Sequence, residues 1–327
     1  MDCFVTGASG QLGTALLRGL TQAGHRITAL VLPGDPWAAA AFAGLHVRRV
    51  TGDILDHESL PSERFDWVFH LVADQSFWRG HERRQRALNI SGTANVIAWA
   101  LQMRPGRVVH VSSLAAVGVA PGPDQPIDES FPFNGDRLGL MYFHTKWVGE
   151  QSVLAAAQRG LPAVVVNPGT LLGPWDRSGH ALRMLRPFVR GLVRGYPAGG
   201  NNVLDVRDAA QGLLAAAERG RVGERYLLVG HNLCYRDLSR AVSRACGVGP
   251  PRIAYPRRLL ALAAAILDPV GRALRWMPPI TPDDAVVGTQ YLYYDGRKAR
   301  LELGFSVRPL DLTIGDALAW YRAAGMW

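Results

Sequence analysis

Short, almost wholly apolar runs alternate along the chain with longer stretches in which apolar residues recur at every third or fourth position. The short runs are Asp2 to Val5, Arg26 to Leu32, Val47 to Val50, Trp67 to Leu71, Arg107 to Ser112, Ala163 to Asn167 and Arg225 to Val229. Their brevity and their bounding Gly, Pro, Asp and Ser residues predict strands buried on both faces. Between them, Leu12 to Ala23, Ser91 to Gln102 and Tyr142 to Arg159 carry helical spacing, the last ending near Gly160. Strand and helix in alternation predict an α/β fold with a doubly wound parallel sheet. Residues 120–126, rich in Pro and Gly, read as a loop. After Pro168 the glycine turns give way to arginine-rich helical segments, which predicts a smaller, discontinuous C-terminal substrate lobe. The expected division is 1–168 plus about 201–230 for the sheet domain, and about 169–200 plus 231–327 for the lobe, with ligand in the cleft outside the strands' carboxyl ends.

The first strand leads directly into Thr6-Gly7-Ala8-Ser9-Gly10-Gln11-Leu12-Gly13. Glycine at 7 permits a sharp strand-to-helix turn, glycine at 10 lets backbone approach a pyrophosphate, and glycine at 13 lets helix pack closely on strand. The helix start adds free N–H groups and the positive end of a dipole. A dinucleotide is therefore expected on Gly7, Ser9, Gly10, Gln11, Leu12 and Gly13. Far downstream, Tyr142 and Lys146 stand four apart and share a helix face, and the Val108-Val109-His110-Val111 strand ends in Ser112-Ser113. A hydroxyl, a phenol and an ammonium are the parts that move a proton on and off a carbonyl oxygen during hydride transfer. A free tyrosine titrates near pH 10, and two nearby cations, the ammonium and an oxidised nicotinamide, are expected to lower that value. A drop of about 3 pH units requires roughly 4 kcal/mol of differential stabilisation.

These motifs, with Gly52-Asp53-Ile54, Asp66 to Ala73, Asn89 to Asn95, Asn167-Pro168-Gly169, Gly173-Pro174, Asp205 to Asp208 and Gly223 to Tyr226, appear in one family's order. The chain resembles an extended short-chain dehydrogenase/reductase of the NAD-dependent epimerase/dehydratase family, closest to its dihydroflavonol-reductase-like branch and to hopanoid-associated sugar epimerases. The resemblance implies a Rossmann-type sheet, an NAD(P) cofactor and a catalytic trio of Ser113, Tyr142 and Lys146, with Ser113 chosen over Ser112 by alignment on Gly118. It further implies that Asp53 contacts the adenine amino group and Ile54 lies beside it. Leu71, Val72 and Ala73 would line the nicotinamide ribose, Lys146 would hold its hydroxyls, and Pro168 and Gly169 would flank the carboxamide. Asn89 resembles a residue near the cofactor and reads equally as a helix cap. His144 reads as packing or surface, and His70 as a strand residue with its ring bonded to backbone.

Two departures from that pattern carry information. At the end of the second strand, where an acid selects NAD and an Arg favours NADP, this chain has Val31-Leu32-Pro33, with Leu32 where close relatives carry Arg and Asp35 following Pro33-Gly34. NAD versus NADP stays open. After Ser113 the Asp-Glu pair of sugar dehydratases is replaced by Leu114-Ala115, which removes the extra acid and base that elimination needs. Two enzyme readings remain: reduction of a ketone or aldehyde, with Phe77, Trp78, Phe143 and Trp175 as candidate pocket aromatics, and epimerisation of a nucleotide sugar by tightly held NAD. The second needs a grip on a diphosphate, for which Arg183, Arg190, Arg194 and Arg207 are candidates. A cofactor-binding sensor without turnover is disfavoured by the intact trio.

Composition narrows the picture little. The 327 residues suit one large core and a smaller lobe. Three unpaired-looking cysteines suggest neither a disulfide framework nor a metal site, and Cys3 is expected inside the first strand. A strand beginning at residue 2 leaves no room for a signal peptide, and the longest apolar run, Leu259 to Leu267, is far short of the roughly 20 residues a span needs. A cytoplasmic enzyme is expected, without nucleic-acid partners; oligomeric state stays open, a homodimer through the helices at 91–102 and 142–159 being the pairing that relatives often show. The net charge of +9 comes mostly from scattered arginines. Compositional bias is the leading account, with attraction of phosphate-bearing ligands and membrane-surface docking through Pro256 to Trp276 as alternatives.

Overall fold

The computed structural model describes residues 1–274 and 278–327, so Trp276 lies outside the described residues. Its strands, in chain order, are β1 (Asp2–Thr6), β2 (Arg26–Val31), β3 (Val47–Thr51), β4 (Trp67–His70), β5 (Arg107–Val111), β6 (Ala163–Pro168), β7 (Thr170–Leu172), β8 (Gly195–Tyr196), β9 (Gly200–Asp205), β10 (Arg225–Leu228), β11 (His231–Cys234) and β12 (Ile253–Ala254). Seven of them form one parallel sheet in the order β10-β6-β5-β4-β1-β2-β3. Each strand expected from the apolar runs starts at the observed residue and ends within one of it. The order reverses between β1 and β4, and ligands of such sheets bind outside the carboxyl ends at that switch.

Both faces of the sheet are covered, which is why its strands are apolar throughout. On one face helix Gln11–Gln22 inserts Leu12, Leu16, Leu17 and Leu20 beside helix Val206–Arg219. On the other, helices Thr93–Met103 and Met141–Gln158 cover Phe4, Val68, Val108 and Val165. The expected helix at 91–102 starts two residues later than read, after a wide π-type turn over Ala87–Gly92. Gly92 in that turn lies against Ile54, where a Cβ would come within 2.4 Å of its side chain.

Strands β7 and β9 pair in parallel and β11 joins β9 antiparallel, while β8 and β12 form a separate pair. Downstream, the chain returns to the large sheet. Tyr291 and Tyr293 carbonyls accept from Ala120 and Ile127 N–H, and Tyr294 Oη donates to the Gly118 carbonyl at 2.6 Å. Helix Arg297–Leu303 then places Ala299 and Leu303, with Phe305, in the core beside helix Val206–Arg219 and β10.

Candidate active site

The glycine turn sits where β1 ends. Gly7 has φ of +71°, and a Cβ there would stand 3.0 Å from the Leu71–Val72 peptide at the end of β4. The two carboxyl-end loops thus meet at the switch point. Gly13 is held tighter still: its Cβ would lie 2.3 Å from the Gly7 carbonyl oxygen and 2.6 Å from that of Ala8. Gly10 caps helix Gln11–Gln22 without a side-chain hydrogen bond, which leaves first-turn N–H groups for an anion. A side-chain-free cradle above uncapped amides fits the pyrophosphate of a dinucleotide.

The other expected cofactor residues fall around this turn in different ways. Ser9 Oγ donates to Asp35 Oδ2 at 2.6 Å, so the acid beyond Pro33-Gly34 does reach the turn, while Leu32 points into solvent. Gln11 Nε2 donates to the Gly173 and Pro174 carbonyls, tying the turn to the segment after β7. Leu12 is buried. Asp53, half-buried, accepts from Leu55 N–H, and Ile54 is core. Leu71, Val72 and Ala73 are half-buried behind β4, as is Gly169 behind the buried Pro168 of β6. Asn89 is no helix cap. From the π-type turn it accepts from Asp74 N–H at 2.9 Å and donates to the Asp74 carbonyl and to Thr145 Oγ1, clamping the loop after β4 onto helix Met141–Gln158.

Ser113, Tyr142 and Lys146 converge across the end of β5. The Ser113 hydroxyl, which accepts from Ala115 N–H, lies close enough to the Tyr142 phenol to favour its ionisation, and Lys146 Nζ donates to the Val111 carbonyl at 2.9 Å. Tyr142 meets Phe77 edge to face at 5.2 Å and shares an apolar cluster with Phe143, Leu140 and Val119. Trp175 lies elsewhere, under the Arg18 guanidinium, and Trp78 packs on His81. In the cofactor-free chain burial pushes the Tyr142 phenol up to about 12, the nearby Ser113 hydroxyl opposes this, and the Asp74 carboxylate adds to it; the lowering expected from a nicotinamide cation belongs to the cofactor-bound state. Burial also brings Lys146 down to about 8, against the pull of Glu150. In the cofactor-free chain Tyr142 is therefore a protonated acid.

Sequence reasoning missed the layer beneath. Glu150, fully buried one turn after Lys146, accepts from Asn167 Nδ2 at 2.6 Å and pairs with Arg225 at 2.9 Å; the Asn167 amide also donates to the Ser113 carbonyl. One buried polar chain thus fixes both the serine and the lysine helix. Its signal was present, since an acid at Glu150 continues the four-residue spacing of Tyr142 and Lys146 on the same face. Asp74, buried and paired with Arg84 at 3.2 Å, was also missed. His70 differs from expectation as well: its ring bonds the Thr6 and Thr93 hydroxyls rather than backbone. Next to it, His110 has neither ring nitrogen partnered, and a cavity of about 10 Å³ lies alongside. Burial lowers both imidazoles, His70 to about 3.

Among the candidate diphosphate grips, Arg207 is taken by Asp205 and Asp316, and Arg183 lies 3.5 Å from Asp284. His144 bonds Asp136, as a surface residue does. Cys3 is buried in β1, its thiol raised to about 12 by that burial.

Residues 3–229 match the model of the NAD dependent epimerase/dehydratase family. The chain is 32% identical to "Putative dihydroflavonol 4-reductase" of Synechocystis sp., over 99% of this chain and 96% of that protein. It is also 32% identical to Sterol demethylase protein B of Methylococcus capsulatus, with both chains fully covered. Among solved structures, a nucleoside-diphosphate-sugar epimerase from Pseudomonas aeruginosa superposes with a TM-score of 0.79 at 30% identity, covering 100% of this chain and 99% of that one.

Proposed function

Because this chain belongs to the NAD-dependent epimerase/dehydratase family, we propose that it reduces an apolar ketone or aldehyde to the alcohol. The observation that carries this reading is the placement of Tyr142, four residues before Lys146 at the end of β5, in a buried cluster of aromatic and aliphatic side chains. Reduction needs a proton donor at the carbonyl oxygen, and burial favours the neutral phenol that can supply it. A nicotinamide cofactor, when bound, supplies the hydride to the carbonyl carbon. The glycine turn would hold its phosphates, and Lys146 its ribose. Ser113 Oγ orients the substrate oxygen, Tyr142 Oη gives it the proton, and the Lys146 ammonium stabilises the phenolate left behind. The names of two relatives, a reductase and a sterol-demethylation protein, suit an apolar carbonyl, and Leu114-Ala115 offers no acid–base pair for elimination.

Nucleotide-sugar epimerisation is the second reading, favoured by the superposition on the Pseudomonas epimerase. It is weakened by the commitment of Arg207 to carboxylates. The two separate in one experiment. A panel of apolar ketones and aldehydes is offered with NADH or NADPH while cofactor absorbance is followed. Reduction consumes cofactor stoichiometrically, and Tyr142→Phe lowers turnover at least a hundredfold with cofactor affinity nearly unchanged. A variant of near-normal rate, or NAD that copurifies and shows no net consumption, refutes the reductase.

A further inference from the structure

Helix Arg257–Ala273 is built inside out. Leu259, Leu262, Ile266 and Val270, with Leu274 just beyond, are 47–69% exposed, and steps of three and four align them on one face. The buried positions on the helix are Ala264, Asp268 and Gly271, two small residues and an acid. An ordinary surface helix has the reverse arrangement. Ile253, 58% exposed on β12, is a further exposed apolar side chain four residues before the helix begins. Contiguous exposed apolar surface on this scale marks a site that something covers.

Charge indicates what covers it. Between residues 248 and 280 the sequence holds Arg252, Arg257, Arg258, Arg272 and Arg275 against one acid, Asp268, and that acid is buried and paired with Arg272 at 2.7 Å. Arg252 N–H also donates to the Arg194 carbonyl, which brings a further exposed arginine alongside. A second copy of the chain packed face to face would set these arginines against their own mates, which is unfavourable. An apolar face edged by arginines matches helices that lie in the headgroup plane of an anionic bilayer. No helix among the described residues is long and apolar enough to cross a membrane, so the contact is one of surface docking.

We propose that helix Arg257–Ala273, with Ile253 at its approach, docks this chain on the surface of an anionic lipid bilayer. The helix packs on helix Pro282–Val287, whose Val286 and Val287 join the apolar cluster around Tyr142. Thr281 Oγ1, capping that second helix, donates to the Phe77 carbonyl at 2.7 Å. The docking face is thus one helix removed from the apolar side of the candidate site. Docking itself does not depend on the proposed reaction; entry of a lipophilic carbonyl from the bilayer rests on it.

The test is co-sedimentation of the full chain with vesicles of phosphatidylcholine alone or with one-third phosphatidylglycerol, at low and high salt. Binding is expected on the anionic vesicles and should weaken at least tenfold at high salt. L262E/I266E should lose at least tenfold in vesicle affinity while its melting temperature and NAD(P)H affinity stay unchanged; R257E/R258E should lose binding selectively on anionic vesicles. Wild-type protein left in the supernatant throughout, equal binding to both lipids, or double variants that bind like wild type overturn the proposal. So does a dimer in sedimentation velocity that L262E/I266E splits without any vesicle binding, because the face then belongs to a second copy.

Discussion

Helices Gln11–Gln22 and Arg257–Ala273 carry similar apolar spacing and put it to opposite use. The first turns Leu12, Leu16, Leu17 and Leu20 into the core beneath the glycine turn, each under one-tenth exposed; the second turns its leucines and isoleucine outward. What separates them is the company each face keeps. Around the first helix, Gly13 and Ala15 let it settle on β1 and the turn. In the second, arginines border the apolar stripe, and the inward face holds a carboxylate. Periodicity reports that a face is apolar, and its charged borders report which solvent it meets.

Acid should break the inner region hardest. His70 and His110 are held neutral by burial, with folded pKa values below the ordinary 6.5, so the unfolded chain binds protons that the folded one refuses. Their stability contribution is complete above pH 6.5 and is lost as pH falls toward the folded values. About 4 kcal/mol should go between pH 8 and pH 5. Denaturant melts across that range test this, and His110→Leu, removing an imidazole without partners, should cut the loss by about half.

Substitution sharpens the contrast directly. Leu16→Ala should cost about 3 kcal/mol in chemical denaturation, whereas Leu262→Ser should stay within about 0.5 kcal/mol of wild type. Equal costs would show that the second helix is covered within the folded chain. Gly13→Ala should cost about 2 kcal/mol, since the new Cβ meets the Gly7 and Ala8 carbonyls, and should weaken NADH in a calorimetric titration. Smallest is the effect at the turn's edge. Asp35, bonded to Ser9, is an acid at the edge of the turn. If it selects against the 2′-phosphate of NADP, Asp35→Asn should raise the NADPH/NADH ratio of kcat/KM by about tenfold, roughly 1.4 kcal/mol; an unchanged ratio shows that it plays no part in cofactor choice.

Much of the inner region was legible in the chain. Strands buried on both faces write themselves as apolar runs, and the glycine turn and the Tyr142–Lys146 spacing carry their chemistry in local order. What stayed hidden depends on distant partners. Asp35 comes to matter through Ser9, Asn89 through Asp74 and Thr145, and Glu150 through Asn167 and Arg225. The protonated state of Tyr142 follows from burial, which residue spacing does not encode. The stripe at 259–274 entered the sequence reading only through membrane-surface docking as one of three accounts of the net charge, because period alone does not reveal inside from outside.

The return of residues 281–305 across the large sheet limits how this chain can be recombined. Thr281 holds the loop carrying Phe77, Tyr294 holds the Gly118 carbonyl, and Phe305 joins the core on one face of the sheet. A hybrid joining residues 1–229 to another protein's C-terminal part would inherit every residue of the trio and the turn, yet lack the side chains that close the apolar wall and finish the core. Exchange of substrate preference between relatives should therefore succeed by transplanting 169–200 and the outer helix while keeping 281–305 with its own sheet, and a growing chain should complete its core only once residue 305 has been synthesised.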